Sequence, residues 1–183
     1  MKYSMKNKAQ QGFTLIELVV VIVILGILAV TAAPKFINLQ ADARTATLEA
    51  VKASMQSAYT LVHSKSLIQG NESAVAADGE TVVVNSQGDV VNLDLGYPIS
   101  TAGAATVPAD DWALLLEVNA DEFIISDDSI AGYVVVYPEG GTEPTALPAD
   151  NDAPTAAESS CFAYYQESQA LGTSPVTDVV ICL

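Results

Sequence analysis

"QQGFTLIELVVVIVILGILAVTAAPKF", residues 10–36, decides the fold. From Leu18 to Ala33 every residue is apolar or small except Thr31. Extended to Phe13 and Phe36, the run has roughly the 20 residues that a helix needs to cross a bilayer core. Lys2, Lys6 and Lys8 precede it with no acid among them, so the positive-inside rule keeps the N-terminus cytoplasmic and sends the remainder outward. Translation from Met5 would remove only Lys2 of the three lysines. A cleaved secretory signal needs a small-x-small site after the apolar run, and the only candidate, "VTAAPKF", is spoiled by Pro34. A cut after Gly12 would instead retain the helix and free an amine on Phe13.

Glu17 is the one carboxylate in this run. An acid in hydrocarbon costs a few kcal/mol, about 3 at the centre of a span, and invites a functional explanation. Three readings stay open on charge alone. Glu17 could lie among headgroups, favour the helix N-terminus through the macrodipole, or meet the Phe13 amine of a neighbouring chain packed alongside.

Working outward, the 183 residues carry seven Lys and Arg, all at or before Lys65, against 22 acids, nineteen of them beyond it. The back half is a solvated acidic body, which repels phosphate backbones and argues against direct nucleic-acid binding. After Pro34, Phe36, Leu39, Ala43, Thr47, Ala50, Val51, Met55, Ala58, Leu61 and Val62 recur at spacings that mark one face of a helix. Neither Gly nor Pro interrupts before Gly70, so helix is expected from Thr14 to about Ser66, roughly 80 Å long. A polar connection, residues 68–80, leads to "TVVVN", a turn at "SQGD" and "VVNLDL", a hairpin pattern. Further strands are expected at "WALLLEV" from Trp112, "EFIIS" from Glu122, "GYVVVY" from Gly132, "CFAYY" from Cys161 and "VVICL" at the end. A long helix followed by strands predicts α+β, with an antiparallel sheet against the helix. Residues 138–160, rich in Pro, Ala, Thr and acids, read as an exposed loop. Outside the cytoplasm Cys161 and Cys182 can pair, closing a loop worth about 3 kcal/mol in the chain-entropy model.

Gly12, Phe13, Thr14, Glu17 and the apolar run with Gly26 and Pro34 closely resemble the N-terminal signature of type IVa pilins and related pseudopilins. The continuation "KFINLQADAR", the "GYP" of Gly96–Pro98 and the two C-terminal cysteines resemble the mannose-sensitive haemagglutinin (MSHA) type. The resemblance implies a cleaved leader (1–12), a hydrophobic membrane and filament-core helix (13–36), an amphipathic helix (37–67) and an acidic head (68–183). It implies cleavage between Gly12 and Phe13 by a prepilin peptidase, N-methylation of Phe13, and pairing of Glu17 with the amine of an adjacent subunit. Gly26 and Pro34 would bracket a helical stretch that loosens on assembly. The disulfide-bounded region, 161–182, would be exposed on the filament and carry surface specificity. The implied partners are further copies of the chain, the peptidase and pilus assembly machinery, the inner membrane before assembly, and host or abiotic surfaces. Localisation would pass from single-pass precursor to extracellular pilus.

No nucleophile elbow, phosphate loop or H-E-x-x-H occurs, and His63, the only histidine, lies inside the helical pattern. No catalytic residue, metal ligand or cofactor is expected, and the acidic pairs lack the spacing of an EF-hand loop. The reading is a structural subunit, a major pilin. Its alternatives are a minor pilin, a type II secretion pseudopilin, or a monomeric membrane-anchored binding module.

Overall fold

The computed structural model describes residues 13–101, 107–116, 118–147 and 160–182. Helix α1 runs unbroken over Leu15–Gln69. It belongs to two compact units, Met1–Leu39 and Gln40–Leu183.

In the first unit the helix is bare. Its apolar stretch Leu15–Ala33 has mean hydropathy 3.0 and no part of it is buried.

In the second unit, α1 lays Leu48, Val51, Met55, Ala58 and Val62 into the core, steps of three and four that follow the helical repeat. Burying each large member of this stripe contributes about 1.5–3 kcal/mol. Val51, Met55, Ala58 and Val62 are where the sequence pattern put them. Leu48 was missed, while Ala43, Thr47, Ala50 and Leu61 face outward, Leu61 at 54% exposure. Both tracks have helical spacing, and the one that packs is set by the sheet rather than by α1 itself.

Among the described residues seven strands form two antiparallel sheets. The first sheet holds β1 (Thr81–Val83), β2 (Val90–Asp94) and β3 (Tyr97–Pro98) in chain order. The expected hairpin is present, with Thr81 opposite Asn92 and Val83 opposite Val90. Its third strand, from "GYP", was not foreseen. Leu95 and Gly96 connect β2 to β3 with φ of 50° and 79°, the left-handed pair of a two-residue hairpin turn. Val82 and Leu93 pack with Val62 of α1.

The second sheet orders β4 (Phe123–Ser126), β5 (Val134–Pro138), β6 (Phe162–Gln166) and β7 (Val176–Val180). Alternate residues serve two cores. Val134, Val136, Ala163, Tyr165 and Val179 meet the α1 stripe, while Val135, Tyr137, Phe162, Tyr164 and Val180 form a second cluster on the other face. Burial on both faces explains why "YVVVY" reads as a continuous apolar run.

One expected strand is a helix. "WALLLEV" belongs to α2 (Pro108–Leu115) and the residues that follow it. Pro108 sits in its first turn, where a missing N–H costs nothing, with Asp110 and Asp111 at the positive end of the dipole. Pro108, Asp111 and Trp112 are its buried residues, a three-and-four spacing that starts upstream of the apolar run. A short apolar run does not by itself separate helix from strand.

The loop expected at 138–160 is exposed over most of Glu139–Leu147, although Pro144 is buried and Leu147 packs on the second cluster. Residues 148–159 lie outside the described residues.

Candidate functional site: the N-terminal turn of α1 and the clip on the head

The first turn of α1 begins at Thr14. Its backbone N–H and its hydroxyl both donate to Glu17 Oε2 at 2.8 Å, and the Glu17 N–H donates back to Thr14 Oγ1 at 3.3 Å. This reciprocal pair is a capping box, with Thr14 at the cap and Glu17 three residues on. It satisfies donors that a helix start otherwise leaves unpaired. The sequence places Glu17 at the helix N-terminus as one of three options and starts the helix at Thr14 without giving Thr14 a capping role, although T-x-x-E is the signal that finds it. Both Thr14 bonds fall on Oε2; Oε1 has no hydrogen-bond partner among the described residues.

Phe13 stands before this turn, 91% exposed, while Gly12 lies outside the described residues. The helix passes through Gly26, where a Cβ would meet nothing within 4 Å, and continues through Pro34. Thr31, the one hydroxyl between Leu18 and Ala33, donates to the Leu28 carbonyl at 3.0 Å, which hides its polarity within the helix.

In the second unit the C-terminal strand is clipped to α1. Cys161 and Cys182 form a disulfide of 2.02 Å with Cα atoms 4.9 Å apart. The Cys182 N–H donates to Thr45 Oγ1 at 3.0 Å. Lys52 Nζ donates to Asp178 Oδ1 at 2.8 Å, with Glu49 at 3.8 Å, and Gln56 donates to the Thr177 hydroxyl at 3.1 Å. The Lys52 hydrogen bond holds the Asp178 carboxyl below the usual range, and the Asp178 hydrogen bond raises the Lys52 ammonium. Sequence reading found the cysteines but none of these cross-chain bonds, because their partners lie more than 120 residues apart. The region 161–182 is also less exposed than the resemblance implied. Phe162–Tyr165 are buried core, and the exposed part is the β6–β7 turn around Leu171.

His63 is a packing residue. Its Nδ1–H donates to the Gly96 carbonyl at 3.1 Å, and its ring stacks on Tyr97 at 4.1 Å. Tyr97, Tyr59, Tyr165 and Trp112 continue this aromatic chain into the core. The Tyr165 hydroxyl donates to the Pro98 carbonyl at 2.7 Å, and burial keeps its phenol protonated well above the ordinary range. Among the described residues no group of three or more His, Cys, Asp or Glu is placed to hold a metal ion.

Comparison with known proteins returns the family that the first residues resemble. Residues 7–33 match the prokaryotic N-terminal methylation motif, the signal of type IV pilins. A type IV narrow pilus major component, PilA5, of Thermus thermophilus is 49% identical over 51 residues, 28% of this chain and 44% of that protein. The match thus spans less than half the length of that relative. No solved structure matches. The motif and the relative are those of a pilus component, a structural protein rather than an enzyme.

Proposed function

We propose that the protein is a type IV pilin, the major structural subunit of an extracellular filament that attaches cells to surfaces. The observation that carries this reading is the bare apolar stretch Leu15–Ala33, joined to the methylation motif and headed by Glu17. The "major component" in the relative's name favours the major over a minor subunit.

The steps follow from elementary chemistry. The precursor sits in the inner membrane with its head outside the cytoplasm. There the capping box keeps Glu17 from standing as a bare carboxylate in or near hydrocarbon, where an unpaired acid costs about 3 kcal/mol. A peptidase cuts between Gly12 and Phe13, which removes three of the seven basic residues and none of the acids. The freed Phe13 amine is N-methylated and keeps its positive charge. When chains pack, the amine of one approaches the free Oε1 of Glu17 on the next. This fixes the axial register while Oε2 still caps its own helix. The apolar helices exchange lipid for one another, so their surface stays out of water throughout. Gly26 and Pro34 mark where α1 loosens to fit the bundle, since Pro34 cannot donate to the Val30 carbonyl. Cys161–Cys182 and the Lys52 clip hold the acidic head together outside the cell.

Substituting Glu17→Val tests the assembly step. The variant should reach the membrane, be processed and fold its head, yet give less than one-tenth of the native yield of sheared filament. A native filament yield from this variant contradicts the pairing.

A further inference from the structure

Three buried side-chain oxygens lack a hydrogen-bond partner among the described residues, and all lie at the C-terminal end of α1: Ser66 Oγ, Asn71 Oδ1 and Glu72 Oε2. Ser66 is fully buried. Buried polar atoms are nearly always paired, so three orphaned acceptors within seven residues need a common explanation.

The backbone returns toward the helix end here. The Ser66 carbonyl accepts from Gly70 N at 2.9 Å and Asn71 N at 3.2 Å, which folds the segment after α1 back over its last turn. The β2–β3 turn packs on Glu72 and His63. A Cβ built on Gly96 falls 2.9 Å from Glu72 Cα, 3.0 Å from the Glu72 carbonyl and 3.0 Å from His63 Nδ1. The Leu95 N–H fastens this turn to the Ala74 carbonyl at 2.7 Å.

The nearby donors are committed elsewhere. His63 Nδ1–H is spent on Gly96, and Lys65 Nζ donates to the Val83 and Val84 carbonyls at 3.0 and 3.2 Å. The last turn of α1 contains no basic residue, so the negative end of its dipole stands uncompensated. A hydroxyl, an amide oxygen and a carboxylate at the negative end of a helix form a set of hard oxygen ligands. They suit a hard cation and not zinc.

We propose that Ser66, Asn71 and Glu72 bind a hard divalent cation, calcium for preference, beneath the Leu95–Gly96 turn. Irregular oxygen ligands on a turn fit calcium better than magnesium, which demands near-ideal octahedral geometry. A single carboxylate makes the site weak, in the millimolar range that extracellular calcium modules occupy. The ion neutralises Glu72 and locks the post-helix segment to α1. The site needs no filament and stands whether or not the chain polymerises.

The test uses the full chain in detergent micelles, with calcium chloride as probe and magnesium and sodium chloride at matched ionic strength. Melting is followed by Trp112 fluorescence. The ring C–H resonances of His63, the only histidine, report binding beside Glu72. About 10 mM calcium should raise the melting temperature by about 3 °C and move the His63 resonances saturably. Magnesium and sodium should do neither. E72Q should lose both responses. S66A should melt at or above the native temperature without calcium, because an orphaned hydroxyl is gone, and should gain less from calcium. Equal calcium shifts in native, E72Q and S66A chains would mean diffuse binding to the acidic surface and would overturn the proposal. So would unmoved His63 resonances, or the same response to all three salts. Should E72Q fail to fold, S66A decides alone.

Discussion

Replacing Gly96 by alanine should be the most damaging single-methyl change in the head, and its cost can be worked from the turn. Gly96 has φ of 79°, where an L side chain loses about 1 kcal/mol. The added Cβ would also stand 2.9 Å from Glu72 Cα and 3.0 Å from the Glu72 carbonyl and His63 Nδ1. Two of these three neighbours are backbone, and His63 is pinned between Tyr97 and the Gly96 carbonyl, so none yields cheaply. Overpacking of this kind costs about 1–3 kcal/mol, giving about 2–4 kcal/mol in all. Gly88 is the matched control. Its φ is 92°, yet a Cβ there meets nothing within 4 Å, so Gly88→Ala should cost only the backbone share, about 1 kcal/mol. Urea unfolding of both variants and the native chain in micelles, followed by the fluorescence of the fully buried Trp112, measures the difference. Equal losses at Gly88 and Gly96 would refute the close packing of the β2–β3 turn on α1.

The Lys52–Asp178 pair should add about 0.5–1 kcal/mol at neutral pH, a modest figure because Asp178 is over a third exposed. Since Asp178 is lowered and Lys52 raised, the contribution should hold from above pH 3.8 to below pH 10.5; it fails as pH falls through the Asp178 value or rises through that of Lys52. Melting of K52M against the native chain across that range would show a constant gap inside the window; a gap that closes at pH 7 would contradict it. Asp111 behaves oppositely. Burial raises its carboxyl although Asn92 donates to it twice, so its contribution is fullest below pH 3.8 and is lost as pH rises through the folded value. D111N should therefore flatten the loss of stability between pH 4 and neutrality, and an unchanged slope would count against a titrating Asp111. Reducing Cys161–Cys182 frees a loop of 21 residues and should lower stability by about 3 kcal/mol, read as a shifted urea midpoint. A midpoint that stays put would mean that the hydrogen bonds of β7 hold the strand unaided.

What the sequence made legible, and what it hid, divides by range. The apolar run, the long helix, the first hairpin and the strands of the second sheet carry local patterns and appear, although α1 runs three residues past Ser66 and the last strand is Val176–Val180 rather than the expected "VVICL". Trp112 misled because α2 announces itself through Pro108 and Asp111, ahead of the apolar letters. Leu48 and Leu61 exchanged places because two adjacent tracks on α1 have equally good spacing, and only the sheet opposite chooses between them. Thr14 was legible as the helix start, and its capping role through its spacing to Glu17 was not drawn. The Thr45–Cys182 and Lys52–Asp178 contacts, and the crowding of Glu72 against Gly96, have no signal in sequence because they exist only once distant segments meet.

The proposed pilin function requires that the chain be cut before Phe13, methylated and exported in quantity. The direct measurement is the intact mass of the dominant acidic protein sheared from native cells. The expected mass is that of a chain beginning at N-methylated Phe13 and two hydrogens light for Cys161–Cys182. A chain found only in the envelope, with residues 1–12 still attached and absent from the sheared fraction, would contradict it.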